Sequence, residues 1–270
     1  MEEDWFTTVS GSAFCQRRQQ LKPELFKDEN DKLIDNVYKG LKHLHKYNGK
    51  TLLAADTSII TLSNHTITKE KYGIKSKIDA KNTIPRARMS CITDTLTNMI
   101  VSADLNITAS SELKMAVNQI NELENIIDLE NSIIMGDGGY DSLEMMIKII
   151  EHNSHFIIRL KDTTFINERK NLTGDDEYTW INMNKKRLKN VDNKEIKEKY
   201  LIKGRIQLRI LRILLGEDED GKPKVEYLIT NLPKEIAPYE DFKELYHQKW
   251  SVETEFDRLK NIHEIENFSG

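Results

Sequence analysis

Cysteine is almost absent from the 270-residue sequence, which contains only Cys15 and Cys91. Two such distant thiols supply neither a disulfide framework nor a zinc site of the Cys-x-x-Cys type, and they fit a reducing compartment. Proline and glycine are also scarce, at 5 and 12 residues, which excludes collagen-like and linker-like chains. The chain is long enough to bury a sizeable core in one domain, or in one domain with a large insertion.

Long apolar segments are missing as well. No uninterrupted apolar run approaches the ~18 residues that a membrane span requires. The amino-terminal residues MEEDWFTTVS are acidic and lack the basic segment and apolar stretch of a secretory signal. We therefore expect a cytoplasmic protein that has no membrane partner.

Charge is present but unevenly distributed along the chain, whose formal net charge is -4. Seven basic residues against two acidic ones lie between Lys69 and Arg88, and eleven against three lie between Lys185 and Arg212. A net negative charge argues against a general nucleic-acid binder only when the charge is evenly spread. Each basic stretch is either a solvated face or a phosphate-binding surface.

Hydrophobic periodicity predicts a mixed α/β architecture. The first 50 residues have helical spacing, and helices are also expected after a cap at Ser110 or Ser111 and after a cap at Ser142. Short apolar runs predict strands over residues 51–60, 89–92, 99–105, 132–135 and 155–161, of which 89–92 and 99–105 form a hairpin. This alternation of strands and helices is typical of a layered α/β domain.

The region from Asp162 to Asn231 has a different character. Short β-like runs over 178–181, 207–215 and 225–230 are separated by polar turns, one of them acidic, at 217–223. We expect a β-rich insertion here, followed by a long helix between Pro238 and about Ile265.

Two aspartates stand out. Asp56 interrupts a buried apolar run, where an unpaired carboxylate is costly. Asp137 follows Ile-Ile-Met-Gly and precedes a Gly-Gly turn, at the carboxyl end of a predicted strand, where functional groups of open α/β sheets collect. Each alone could be a cap or turn residue, but together they indicate a site.

The predicted terminal helix carries a third feature. At ~100° per residue its polar residues Tyr246, Lys249, Glu253 and Lys260 share one edge, beside an apolar stripe. An ordinary amphipathic helix with i,i+4 ion pairs is the alternative interpretation.

The spacing of these four residues resembles the terminal signature of DDE transposases of the insertion-sequence-four family, with Lys249 at a position that is usually arginine. Further segments are similar to the same family: residues 12–18 (SAFCQRR), 54–58 (AADTS), 136–140 (GDGGY), 156–161 (FIIRLK), 228–232 (LITNL) and 266–270 (ENFSG).

The resemblance implies an α/β, ribonuclease H-like (retroviral integrase-like) fold: a mixed sheet with flanking helices and a β-rich insertion. The corresponding domain boundaries are a helical segment over 1–50, the first part of the catalytic core over 51–161, the insertion over 162–231, and the catalytic-helix region over 232–270. Further helices follow the Phe-Ser-Gly motif in the family, so the core is expected to be shortened at its carboxyl end and the DNA-end-binding region at its amino end.

The resemblance also implies the site. Asp56, Asp137 and Glu253 become the catalytic, metal-binding carboxylates, holding Mg²⁺ or Mn²⁺, with two ions expected. Glu255 and Asp257 are nearby rivals to Glu253, of which Glu255 points away at helical spacing. The residues expected to hold DNA phosphates are Tyr246, Lys249 and Lys260.

The implied activity is metal-dependent DNA strand cleavage and strand transfer in cut-and-paste transposition. The expected partners are terminal inverted repeats, target DNA and a second copy of the chain in a synaptic homodimer, in the bacterial cytosol at the nucleoid. The alternative is a truncated, inactive remnant that only binds DNA or a full-length partner.

Overall fold

The computed structural model describes residues 9–40, 45–73, 84–217 and 221–267. Parts of four sequence features lie outside these ranges: residues 1–8 and 41–44 of the helical segment, residues 74–83 of the first basic stretch, residues 218–220 of the acidic turn, and residues 268–270 of the closing motif. The chain divides into two compact units, Met1–His43 and Leu44–Gly270.

The described residues of the first unit form two helices, whereas residues 45–50, which the sequence analysis also placed in the helical segment, are not helical and contain an isolated β-bridge between Tyr47 and Lys50. The two helices are α1 (Gly11–Gln19) and α2 (Pro23–Gly40). The Ser10 hydroxyl caps α1 by accepting a hydrogen bond from the Ala13 amide at 3.2 Å, which satisfies one of the free amides of the first turn.

The second unit alternates strands and helices. Its strands are β1 (Thr51–Thr61), β2 (Arg86–Asp94), β3 (Met99–Ile107), β4 (Ser132–Gly136), β5 (His155–Arg159), β6 (Asp176–Asn182), β7 (Arg205–Glu217) and β8 (Pro223–Thr230). Its helices are α3 (Thr66–Tyr72), α4 (Glu112–Leu123), α5 (Leu143–Glu151), α6 (Ile166–Lys170), α7 (Lys194–Lys203), α8 (Phe242–His247) and α9 (Ser251–Asn261).

Within the described ranges the strands form one eight-stranded sheet in the order β3-β2-β1-β4-β5-β8-β7-β6. β1, β2 and β3 form an antiparallel meander, while β4 and β5 continue the sheet parallel to β1. This arrangement confirms the mixed α/β, ribonuclease H-like fold. The predicted hairpin is formed by β2 and β3.

The sheet is covered on both faces. Helix α4 packs on β1, β2 and β3 and α5 packs on β5, while α9 packs on β1 and β2. Alternate residues of β1 therefore contact different helices. Leu52 and Ala54 belong to the core cluster that includes Val252 and Phe256 of α9. The buried strands β1 and β4 read as continuous apolar runs because both of their faces are covered.

The region predicted as a β-rich insertion contains β6, β7 and β8, all of which extend the main sheet beyond β5. It also contains α6 and α7, which the sequence did not predict. Asn193 caps α7 by accepting a hydrogen bond from the Ile196 amide at 3.1 Å. The Lys-rich sequence of α7 buries only Tyr200, so it lacks the apolar stripe by which helices are recognised.

The predicted terminal helix is interrupted. A 3₁₀ turn at Gln248–Trp250 separates α8 from α9, and α9 ends at Asn261 rather than near Ile265. The chain reverses at Glu264, whose φ is 46°. The Ile265 amide then donates back to the Leu259 carbonyl at 3.1 Å, which satisfies a free carbonyl at the helix end.

Among the helices in the described ranges, none is long and apolar enough to cross a membrane.

Candidate active site

The strand register places Asp56 and Asp137 side by side. The last paired residues of the parallel strands β1 and β4 are Ala54 and Met135. Asp56 and Asp137 each follow two residues after this pair. Because adjacent strands are ~4.8 Å apart and alternate residues share a face, both carboxyl groups lie on the same face at the carboxyl end of β4. The Asp56 Oδ1 accepts from the Thr57 amide at 2.8 Å, and the Asp137 Oδ1 accepts from the Gly139 amide at 2.6 Å.

Lys249 joins the terminal helix to this edge of the sheet. Its ammonium lies 3.0 Å from the Asp56 Oδ2 and 3.2 Å from the Glu253 Oε1. The Lys249 side chain is 4% exposed, that of Asp56 17%, and that of Glu253 54%. The structure therefore brings two of the three predicted carboxylates onto one cation, with Asp137 beside the first.

Burial raises the pKa of the Asp56 carboxyl, and the neighbouring Asp137 adds to this, while Lys249 opposes it. Burial by itself would lower the pKa of the Lys249 ammonium, but Asp56, Asp137 and Glu253 outweigh it, so the pKa is raised. The negative charge of the aspartates is thus already balanced in part by a buried lysine.

The remaining residues of the terminal signature lie nearby. The Lys260 ammonium donates to the Ser58 hydroxyl at 2.6 Å, which ties α9 to β1 two residues from Asp56. Tyr246 is partly buried, and burial raises the pKa of its hydroxyl. The rival acid Glu255 pairs instead with Arg258 at 2.7 Å, and Asp257 is exposed.

A cleft of about 770 Å³ opens beside these residues, between the ends of the strands and helix α8. Its lining includes Asp137, Glu253, Lys249 and Tyr246, together with an exposed tryptophan, Trp250. Three further cations reach the same cleft: Arg159 of β5, Lys224 of β8 and Lys243 of α8. The cleft therefore combines carboxylates with groups that can neutralise phosphate.

The oxygen donors fit a hard divalent cation, for which carboxylates are the preferred ligands. Within the described ranges, however, no three His, Cys, Asp or Glu side chains are already grouped closely enough to hold a metal ion. The Lys249 ammonium instead bridges two of the carboxylates, since it donates to both the Asp56 Oδ2 and the Glu253 Oε1.

Arg159 is a site residue that the sequence reasoning missed. It ends β5, one residue beyond the Gly136 and Ile158 pair, and so lies next to Asp137. Its guanidinium pairs with Glu226 of β8 at 3.2 Å. Burial works to lower the pKa of this group, but Tyr246, Glu226 and Asp137 raise it. The signal in the sequence was a basic residue directly after the apolar run 156–158.

Comparison with known proteins identifies a family that this chain matches. The model of the family described as "transposase DDE domain" matches residues 47–269. No curated protein matches the chain. A solved structure with some similarity is the cryo-EM structure of a piggyBac transposase synaptic complex with hairpin DNA, at 8% identity and a TM-score of 0.46.

The aligned region covers 78% of this chain and 40% of that piggyBac transposase chain. The family match, by contrast, spans most of the sequence and contains both aspartates, Lys249 and Glu253. The chain belongs to the transposase DDE domain family.

Proposed function

We propose that this chain is the catalytic domain of a DDE transposase, which cuts DNA strands and transfers them to a target with Asp56, Asp137 and Glu253 as the metal-binding carboxylates. The observation that carries the proposal is the register of β1 and β4, which aligns the two aspartates, with Lys249 drawing Glu253 toward them. The subtype we propose is the insertion-sequence-four family, from the signature that ends at Lys260.

Each part of the site has a distinct role in this proposal. When bound, two divalent ions activate the attacking oxygen and stabilise the leaving oxygen of a phosphodiester. Asp56 and Asp137 would hold them from the sheet, and Glu253 from α9. Lys249 holds Asp56 and Glu253 by ion pairs and would compete with a divalent ion for the same oxygens.

DNA phosphates would lie along the cleft. Tyr246 and Lys260 flank the carboxylates, and Arg159 stands beside Asp137 with its side chain 42% exposed. Lys249 is also proposed to contact DNA, although its ammonium already pairs with two acids. Contacts of this kind position the nucleic acid without reading its sequence. The substrates we propose are terminal inverted repeats and target DNA, bound by a synaptic homodimer.

The division of the chain into segments 1–50, 51–161, 162–231 and 232–270 also remains a proposal. In its favour, the last segment supplies Glu253, the second supplies both aspartates, and the strands of the third adjoin β5 next to the cleft.

Nicking of supercoiled plasmid tests this function. The plasmid should carry the DNA that flanks the gene on both sides, since the terminal repeats would lie there. We expect relaxed circles with Mg²⁺ or Mn²⁺ and none with EDTA. Asp56→Asn, Asp137→Asn and Glu253→Gln should each lower the nicking rate by more than about 100-fold, because each removes a ligand oxygen.

Asp257→Asn is the matched control, since it removes an exposed acid from the same helix and should leave nicking unchanged. Nicking that persists in Asp137→Asn would show that the site is assigned wrongly. Retention of the plasmid in a gel-shift assay without any nicking would support an inactive DNA-binding remnant instead.

A further inference from the structure

The two faces of β1 carry different chemistry around Asp56. Asp56 and Ser58 point toward the terminal helical region, where they contact Lys249 and Lys260. Thr57, between them, points to the opposite face. Its hydroxyl accepts a hydrogen bond from Arg88 Nη1 at 3.0 Å. Arg88, which is not one of the signature residues, therefore contacts the strand that carries Asp56 from the opposite face of the sheet.

Arg88 connects three elements through one guanidinium. Besides Thr57 of β1, it binds the Glu112 carboxylate in the first turn of α4. Its Nε and Nη2 also approach the Thr108 carbonyl, at 3.4 and 3.2 Å. The Arg88 side chain is 19% exposed. A planar guanidinium with this many partners fixes their relative positions more strictly than a point charge does.

Glu112 lies close to the turn that follows the second aspartate, Asp137. A Cβ atom added to Gly139 would lie 3.1 Å from the Glu112 Oε2 and 2.9 Å from the Asp137 Oδ1. The glycine thus allows both carboxylates to approach the turn that follows β4. One oxygen of Glu112 pairs with Arg88 while the other borders the Asp137 turn.

We propose that Arg88 and Glu112 are positioning residues that hold Asp56 and Asp137 at the separation a divalent cation requires. This inference rests on the proposed function, because it concerns the same carboxylates. Arg88 donates to Thr57 of β1, directly after Asp56, and it holds Glu112 against the turn at Gly139, two residues after Asp137. Groups that orient metal ligands typically change metal affinity by about 10–100-fold when they are removed.

The direction in which Arg88→Gln changes the affinity for a divalent cation distinguishes a positioning role from a purely electrostatic one. Arg88→Gln removes a positive charge near an acidic site, which by charge alone would strengthen binding of a divalent cation. Loss of positioning weakens binding instead. The ion pair of Arg187 with Glu168, at 2.6 Å in the insertion, offers a matched control with no contact to β1 or to the Asp137 turn.

The test is a Mn²⁺ titration of the full chain without DNA, followed by the electron paramagnetic resonance signal of the free ion, with thermal unfolding in parallel. Arg88→Gln and Glu112→Gln should each weaken Mn²⁺ binding by about 10–100-fold. The double variant should bind Mn²⁺ no more weakly than the weaker-binding of the two single variants, because both substitutions remove the same Arg88–Glu112 contact. Arg187→Gln should lower thermal stability without changing Mn²⁺ affinity.

Thr57→Val provides a second route if Arg88→Gln does not fold, since it removes only one acceptor, and it should weaken Mn²⁺ binding in the same direction. Unchanged or tighter binding in Arg88→Gln and Thr57→Val, with only a loss of thermal stability, would overturn the positioning role and leave the proposed function intact. A wild-type chain that binds no Mn²⁺ would contradict both.

Discussion

Arg209 is the largest fully buried side chain of the described residues, and its contacts show how charge is used inside this fold. It lies on β7 and forms a two-point ion pair with Asp176 of β6, at 2.5 and 2.6 Å. It also donates to the Ala237 carbonyl at 2.6 Å, and its guanidinium stacks on Phe242 at 4.8 Å. The insertion is thereby fixed to the segment that begins α8.

Removal of the Asp176 charge should therefore be strongly destabilising. We expect Asp176→Asn to lower the free energy of unfolding by about 3–5 kcal/mol, because a buried guanidinium loses its counter-ion. Urea denaturation measures this. Asp175→Asn, which breaks the exposed Arg212 pair at 3.0 Å, should change it by only about 0–1 kcal/mol. Equal losses of unfolding free energy in Asp176→Asn and Asp175→Asn would show that the buried Arg209 does not depend on Asp176 as its counter-ion.

Single residues were predictable from the sequence where they broke a pattern. Asp56 was recognised because a carboxylate interrupts an apolar run, and the structure does place it beside Asp137. The contact of Lys249 with Asp56 was not predictable, because it joins residues that are 193 positions apart. Arg88 was counted only as part of a basic stretch, since no local pattern indicates that it reaches both Thr57 and Glu112.

At the scale of elements, α4 determines where Glu112 lies. The sequence left its cap open between Ser110 and Ser111. In the structure the Ser111 hydroxyl accepts from the Lys114 amide at 3.4 Å, and Glu112 follows in the first turn. A carboxylate there is also favoured by the partial positive charge of the helix amino terminus.

The two serines give a direct test of this helix start. Ser111→Ala should lower the free energy of unfolding by about 0.5–2 kcal/mol, because a free amide of the first turn loses its acceptor. The adjacent Ser110→Ala should have little effect, since its hydroxyl lies outside the cap position. Chemical denaturation of both variants would show which serine caps the helix. A larger loss of unfolding free energy in Ser110→Ala would place the helix start one residue earlier.

The elements that the sequence predicted are those with a clear apolar pattern. β1 and β4 contain short apolar runs, at 52–55 and 133–135, and α4 and α5 have apolar stripes that pack on the sheet. α6 and α7 escaped prediction because α6 has only five residues and α7 buries a single side chain. The 3₁₀ turn at Gln248–Trp250 was also missed, because it changes the helix geometry without changing the order of apolar residues.

At the scale of the whole molecule, the topology brings distant segments to one edge of the sheet. β1 and β4 contribute Asp56 and Asp137, and α9 contributes Glu253 from the other end of the chain. The α/β class followed from the alternation of predicted elements. The joining of β6, β7 and β8 to the main sheet did not, because strand pairing across such separations depends on tertiary contacts.

If Asp56, Asp137 and Glu253 bind divalent cations for DNA cleavage, the ions should be visible by anomalous X-ray diffraction from crystals of the full chain grown with Mn²⁺. We expect an anomalous peak in contact with the Asp56 and Asp137 carboxylates, with the Lys249 ammonium displaced from Asp56, and no such peak in Asp137→Asn crystals. Mn²⁺ bound elsewhere, or a peak that persists at this position in Asp137→Asn, would contradict it.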